Sequence, residues 1–498
     1  MDAAASEASK PRRLADATLA SLPKAVARPT YGRGHLPPAM VHFGVGGFHR
    51  AHQALYLDDI LERGISREWA EHGVGLLPGD RRMAEALVPQ DCLYTVVERS
   101  AERDTARVVG SLGGYTYAPD DPRRVLEMLT DPVTRIVSLT ITEGGYLVDD
   151  KTGVFDASNA AIQADVDRLA PTTVFGYIVA ALARRRDSGT PPFTVLSCDN
   201  LQGNGLVART AVVSFARLRD ERLADWIHSN VAFPNGMVDR ITPQTTDADR
   251  AMVADTFGLI DAWPVVTEPF RQWVIEDTFS IGRPPLEEVG VQIVADVHPY
   301  ETMKLRLLNA SHQAMAYLGY LAGYRFAHEV MADRDFVALL TRFMDLEVTP
   351  LLPAVPGIDL TMYKRTLLER FANPKIADTL ARLATDGSDR MPKFVLPSLS
   401  EALAQGRPHR LLTLVVAAFC RYLRGVDENG QPIVLQDRRA DELRELASQA
   451  QTDPRPLLTV RPVFGDLAQH EGWVAELIDA LRELDTVGAR VAVKTALG

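Results

Sequence analysis

Up to about Asp296, short apolar runs that suit strands alternate with amphipathic runs that suit helices. "AMVHF" ends at Gly44, "HRAHQALYLDDILER" carries a helical pattern that stops at Gly64, and "HGVGLL" resumes extended structure before Pro78. "CLYTVVE", "RIVSLTIT" and "FTVLSC" are further strand candidates. This alternation predicts an α/β sheet. Beyond Asp296 the pattern changes. "YETMKLRLLNASHQAMAYLGYLAG", "DFVALLTRFMDLEV", "TLLERF", "LLTLVVAAFCRYL" and "WVAELIDALREL" are helix-patterned, with few strand candidates between them. The chain reads as an α/β domain over residues 1–295 and a mainly helical domain over 296–498.

Composition supports two domains, because 498 residues with 46% hydrophobic content exceed the size at which one core usually stops growing. The 65 Asp and Glu against 54 Lys and Arg leave a net charge of −11, without a long basic run interleaved with aromatics, which argues against a nucleic-acid partner. Cys92, Cys198 and Cys420 lie far apart without a Cys-x-x-Cys spacing, which argues against a disulfide framework or a zinc-thiolate site. The opening stretch mixes acids and bases where a signal peptide carries an apolar core, and no apolar run approaches membrane-spanning length. These features predict a cytoplasmic chain with no membrane partner, whose residues 1–28 are loosely ordered.

The stretch "VHFGVGGFHRAH" places Gly44, Gly46 and Gly47 between a strand and a helix. There, backbone amides and the positive helix end can approach a pyrophosphate, which makes Gly44, Val45, Gly46, Gly47, Phe48, His49 and Arg50 candidate cofactor contacts. The spacing departs from G-x-G-x-x-G, and a tight strand-to-helix turn accounts for the glycines equally well. His49 and His52 form an H-x-x-H pair, but with no third ligand nearby they suit packing or phosphate contact better than a metal.

In "KLRLLNASHQA", Lys304, Asn309 and His312 fall near about 0°, 140° and 80° on an ideal helical wheel, sharing one broad face. Met303, Leu307, Ala310, Ala314 and Leu318 gather on another, between about 240° and 320°. A solvated polar face fits this wheel. A cation, an amide and an imidazole aimed together also suit the oxygen of an alcohol or carbonyl.

Residues 44–52, "ITEGGY" at 141–146, "SCDN" at 197–200, "FPNGMVDRITP" at 233–243, "QWVIEDTF" at 272–279 and the Lys304, Asn309, His312 pattern together resemble the polyol-specific long-chain dehydrogenases. The resemblance implies an N-terminal Rossmann-type domain, a helical C-terminal domain enclosing the cleft, and a metal-independent, NAD-linked oxidation of a secondary alcohol. D-Mannitol and D-fructose are the expected pair, with fructuronate reductase and arabinitol dehydrogenase as alternatives, and a monomer is expected. It makes Lys304 the acid/base group, with Asn200 and Asn309 donating to the reacting oxygen, His312 and Asp239 holding neighbouring hydroxyls, and Glu143 relaying the proton to water. A structural salt bridge or turn role competes for Asp239 and Glu143. Lysine acts as a base only when neutral, so its usual value of about 10.4 must fall towards about 7–8, by desolvation and the nicotinamide's positive charge.

Two features depart from the family pattern. An acid that grips the adenosine ribose is expected after the second strand, yet Leu77 and Pro78 stand there and the first acid is Asp80, which weakens the preference for NAD over NADP. At the substrate end, "RLATDGSDRMPKF" offers Arg382 and Arg390, whose planar forks suit a hydroxyl or a carboxylate, and so keep fructuronate open. A nucleotide-sensing protein without catalysis is the alternative of another class. Keeping Asn200, Lys304, Asn309 and His312 together argues against it.

Overall fold

Strands buried on both faces read as unbroken apolar runs, and such runs form the centre of the N-terminal region. The computed structural model describes residues 11–34, 36–149, 152–450 and 453–498. The chain parts into two compact units, Met1–His298 and Pro299–Gly498. In the first, β1 (Met40–Phe43), β2 (Glu71–Gly75), β3 (Leu112–Tyr117), β4 (Ile136–Leu139) and β5 (Thr194–Ser197) form a sheet of order β3-β2-β1-β4-β5 with every pair parallel. This is the strand order of a Rossmann sheet through its fifth strand. β1, β4 and β5 are buried throughout. Two polar interruptions bond to each other across the sheet: His42 and Ser138 are register partners, with His42 Nδ1 2.8 Å from Ser138 Oγ.

A second sheet contains β6 (Gly236–Asp239), β7 (Gln272–Glu276) and β8 (Gln292–Val294), with β7 antiparallel to β6 and parallel to β8. The "CLYTVVE" strand belongs to neither. Its residues Tyr94–Arg99 pair with Asp104–Val109 and Val265–Thr267 in a separate sheet.

The expectation of a loosely ordered start is corrected from residue 11 onward. Arg12–Arg13 pair in parallel with Leu259–Ile260, and Leu14, Leu22 and Val26 are buried with Leu93, Val97 and Val108. Three well-spaced apolar anchors outweigh the charged residues around them. Residues 1–10 lie outside the described residues.

The second unit is helical. Trp473 at the start of the helical stretch Glu471–Leu497, which is broken at Gly488, donates to Thr413 Oγ1 on the buried helix Arg410–Tyr422 at 3.0 Å. The Lys304 segment departs from a regular α-helix. An α-helical turn, His298–Met303, passes into π-helix over Lys304–Asn309, back to α over Ala310–Ala314, and into π again over Met315–Gly319. No helix among the described residues is long and apolar enough to cross a membrane.

Candidate active site

β1 runs into Gly44, whose φ is +91° and whose added Cβ would lie 2.0 Å from the Thr140 carbonyl oxygen. Only glycine fits there, because both the backbone conformation and the space forbid a side chain. Thr140 Oγ1 donates to the Gly44 carbonyl at 2.6 Å and so ties the turn to the end of β4. At Gly46 a Cβ would come no nearer than 3.8 Å to other atoms, which leaves the turn's backbone approachable. The helix that follows is short. The expected single helix is broken at His52 (φ −122°, ψ −90°) into α1 (Gly47–Ala51) and α2 (Gln53–Glu62). Buried His52 holds the break, with Nε2 donating to the Gln272 carbonyl at 2.9 Å and its ring against Phe48, Tyr56 and Trp273. Burial lowers its imidazole to about 3, so it is neutral.

Val45 is buried and Phe48 half-buried, whereas His49 and Arg50 are fully enclosed. Arg50 donates to the Gly46 carbonyl at 3.2 Å and to the Trp263 carbonyl, and lies over the Tyr94 ring. His49 stacks on His42 at 3.5 Å, with Nε2 3.0 Å from Glu71 Oε2, and Gln53 donates to the other Glu71 oxygen. Burial lowers His49 to about 3 and raises Glu71 to about 7. The side chains of His49 and Arg50 therefore brace the turn from inside. The H-x-x-H pair serves two separate internal partners, Glu71 and Gln272. Among the described residues no group of three His, Cys, Asp or Glu is arranged to hold a metal ion.

At the end of β2, Leu77 is exposed, and Asp80 Oδ2 accepts the backbone N–H groups of Leu76 and Leu77 at 2.8 and 2.9 Å, closing the turn on itself. The ends of β4 and β5 carry two further expected residues. Glu143 opens the short turn Glu143–Tyr146 and is exposed, and Asn200 is exposed just beyond β5. Two residues that sequence reasoning missed hold these segments. Asp199 accepts the Ile141 and Thr142 amides at 3.0 and 2.9 Å and the Tyr146 hydroxyl at 2.7 Å. Asn204, fully buried, donates to the carbonyls of Asp199 and Gly236 and accepts the Gly236 amide at 2.9 Å. It thus links the Asn200 segment to β6, which ends in buried Asp239. The signal was present in "SCDN", where an acid sits beside the expected amide, but its partners lie more than fifty residues away in sequence.

In the second unit, Lys304 and His312 are buried and Asn309 is half-buried with its Oδ1 enclosed and unpartnered. The His312 ring packs on Phe371 at 4.7 Å. The Ala310 amide bonds back to the Leu305 carbonyl, and a turn of this width advances each residue by less than an α-helical step. Asn309 therefore lies closer to the Lys304 face than the ideal wheel places it. Arg382 is exposed and gripped by Asp378 through two bonds of 2.6 and 2.5 Å, while Arg390 donates to the Leu383 carbonyl at 3.0 Å.

Residues 38–288 match the mannitol dehydrogenase Rossmann domain and residues 296–485 the mannitol dehydrogenase C-terminal domain. The chain is 47% identical to the mannitol 2-dehydrogenase of Aspergillus fumigatus over 464 residues, 92% of each chain. Among solved structures, it is similar to Pseudomonas fluorescens mannitol 2-dehydrogenase in ternary complex with NAD and D-mannitol, at 46% identity and TM-score 0.87 over 98% of this chain and 99% of that one. It is also similar to a substrate-free D-sorbitol dehydrogenase, at 39% identity and TM-score 0.91 over 97% of this chain and 100% of that one.

Proposed function

Because the chain belongs to the mannitol dehydrogenase family and is an NAD-dependent polyol dehydrogenase, we propose that it interconverts D-mannitol and D-fructose without a metal, using Lys304 as acid and base. The observation that carries this reading is the likeness, along nearly the whole chain, to an enzyme that holds both NAD and D-mannitol.

The glycine turn suits the cofactor: Gly46 leaves the backbone approachable, and the amides of Gly46, Gly47 and Phe48 are the groups that would hold a pyrophosphate. NAD bound there would supply the acceptor for the hydride of the carbinol carbon. The chain's own residues handle the proton and the oxygen. Neutral Lys304 takes the hydroxyl proton, while Asn200 and Asn309 donate to the oxygen as it gains alkoxide character. The new ammonium on Lys304 supplies the cation that a metal provides in other dehydrogenases. His312 and Asp239 hold neighbouring hydroxyls, exposed Glu143 passes the proton to water, and Arg382 and Arg390 hold the far end of the polyol. We assign the enzyme to the cytoplasm as a monomer, in keeping with its three unpaired, buried cysteines.

Reduction of fructuronate is the second reading, favoured by two arginines at the substrate end. The test is an absorbance assay of mannitol, arabinitol, sorbitol, fructose and fructuronate with NAD(H) and NADP(H), with and without EDTA. Mannitol and fructose with NAD(H) are expected to give the highest kcat/KM, unchanged by the chelator. A preference for fructuronate or arabinitol would replace the substrate assignment, inactivation reversed by zinc would overturn the metal-free mechanism, and no turnover of any pair would leave a nucleotide-sensing role.

A further inference from the structure

We infer that Asp199 is a positioning residue of this site, one carboxylate that locks the turn carrying Glu143 to the strand end carrying Asn200. The inference rests on the proposed roles of Glu143 and Asn200 in polyol oxidation.

Three observations converge on it. First, the two Asp199 oxygens take the consecutive amides of Ile141 and Thr142, and Oδ2 also takes the Tyr146 hydroxyl, so both ends of the Glu143 turn are bound to one group. Second, Thr142 has φ +66° and ψ 163°, a conformation that is essentially glycine's alone. A threonine stays there only when its surroundings hold it, and Asp199 holds its own amide and the amide before it. Third, Asp199 is itself fixed. Its carbonyl accepts from Asn204 at 3.1 Å, and the Tyr146 hydroxyl that donates to it also bonds Ser197 Oγ at 2.6 Å. Burial and the nearby Glu143 charge push the Asp199 carboxyl up to about 6 against these donors, so at neutral pH it is ionised and accepts from every one of them. Asn200 follows directly in the chain. A shift of the carboxylate therefore moves the proposed oxygen donor and the proposed proton relay together.

The test is Asp199→Asn in the full-length protein, which keeps the shape but turns one acceptor into a donor. We expect kcat for mannitol to fall about 10- to 100-fold, the loss typical of a misplaced reacting group, while mannitol KM and NAD affinity stay within about threefold. Amide hydrogen exchange over residues 141–146 should quicken. Adding Thr142→Gly, which lets the turn keep its backbone without the clamp, should recover part of kcat. Unchanged kcat, unchanged exchange, or loss of NAD affinity in step with kcat would overturn the inference. Tyr146→Phe, which leaves the carboxylate intact, should give a smaller change in the same direction; no change in either exchange or kcat would count against the clamp. If the unaltered enzyme does not oxidise mannitol, the proposed reaction fails on its own, and hydrogen exchange, which needs no substrate, still decides whether Asp199 holds the turn.

Discussion

Lys304 is buried at the start of the π-helical turn that also carries Asn309. Lys304→Ala is expected to lower mannitol turnover by at least about 10²–10⁴-fold, the usual share of a general acid or base, with NAD binding nearly intact by fluorescence titration. A small primary amine should restore part of the rate, and near-normal turnover would remove Lys304 as the base. A second residue-scale expectation concerns Glu71, whose carboxyl burial raises to about 7 beside His49 and Gln53. Because its folded value lies above its unfolded one, its contribution to stability is full below about pH 4.3 and is lost as pH rises through about 7. Between about pH 5 and 8, urea unfolding should show the native enzyme losing on the order of 1–3 kcal/mol more than Glu71→Gln; parallel curves would mean that Glu71 does not titrate there. Lys304, Asn309 and His312 were legible because one short run carries all three. Glu71 and Asp199 were not, because what makes them matter is a set of partners brought from distant strands.

At the scale of elements, the glycine turn shows what a pattern leaves undecided. Gly44 and Gly46 look alike in "FGVGGF", yet Gly44 is held at φ +91° against the Thr140 carbonyl, while a Cβ at Gly46 would make only an ordinary contact, 3.8 Å from the Gly44 carbonyl oxygen, at an extended backbone angle. Gly44→Ala should destabilise the fold by at least about 1–3 kcal/mol in thermal unfolding and abolish NAD binding, since strain and overlap act together. Gly46→Ala should fold with a nearly native melting temperature but bind NAD more weakly; equal behaviour of the two variants would contradict this division. The helical runs were legible as helices, but not their irregularities. Met303, Leu307, Ala310 and Ala314 are buried whether the turn is α or π, so the apolar pattern gives no sign that the turn widens between Lys304 and Asn309. The break at His52 was hidden for a similar reason, because the partner that holds it, the Gln272 carbonyl, comes from β7.

For the whole molecule, the change from alternating runs to helical ones was readable because strands buried on both faces and amphipathic helices differ in apolar spacing. Sheet membership was not, since "CLYTVVE" has the same texture as a central strand but joins a different sheet. The net charge of −11 bears on substrate choice. Fructuronate is an anion and fructose is neutral, so the overall field opposes the first and is indifferent to the second. The local arrangement points the same way: Asp378 already grips Arg382 through two bonds, and Arg390 donates to a backbone carbonyl, so a carboxylate has to compete with bonds already made. We expect a higher kcat/KM for fructose than for fructuronate, and Arg390→Lys should keep most of the fructose activity, because a hydroxyl needs one donor and not a fork. Raising ionic strength from about 0.01 to 0.15 M should increase fructuronate kcat/KM as repulsion is screened and leave fructose unchanged. The opposite result, a preference for fructuronate that falls with salt and disappears in Arg390→Lys, would show a charge-assisted carboxylate site and make the enzyme a reductase of sugar acids.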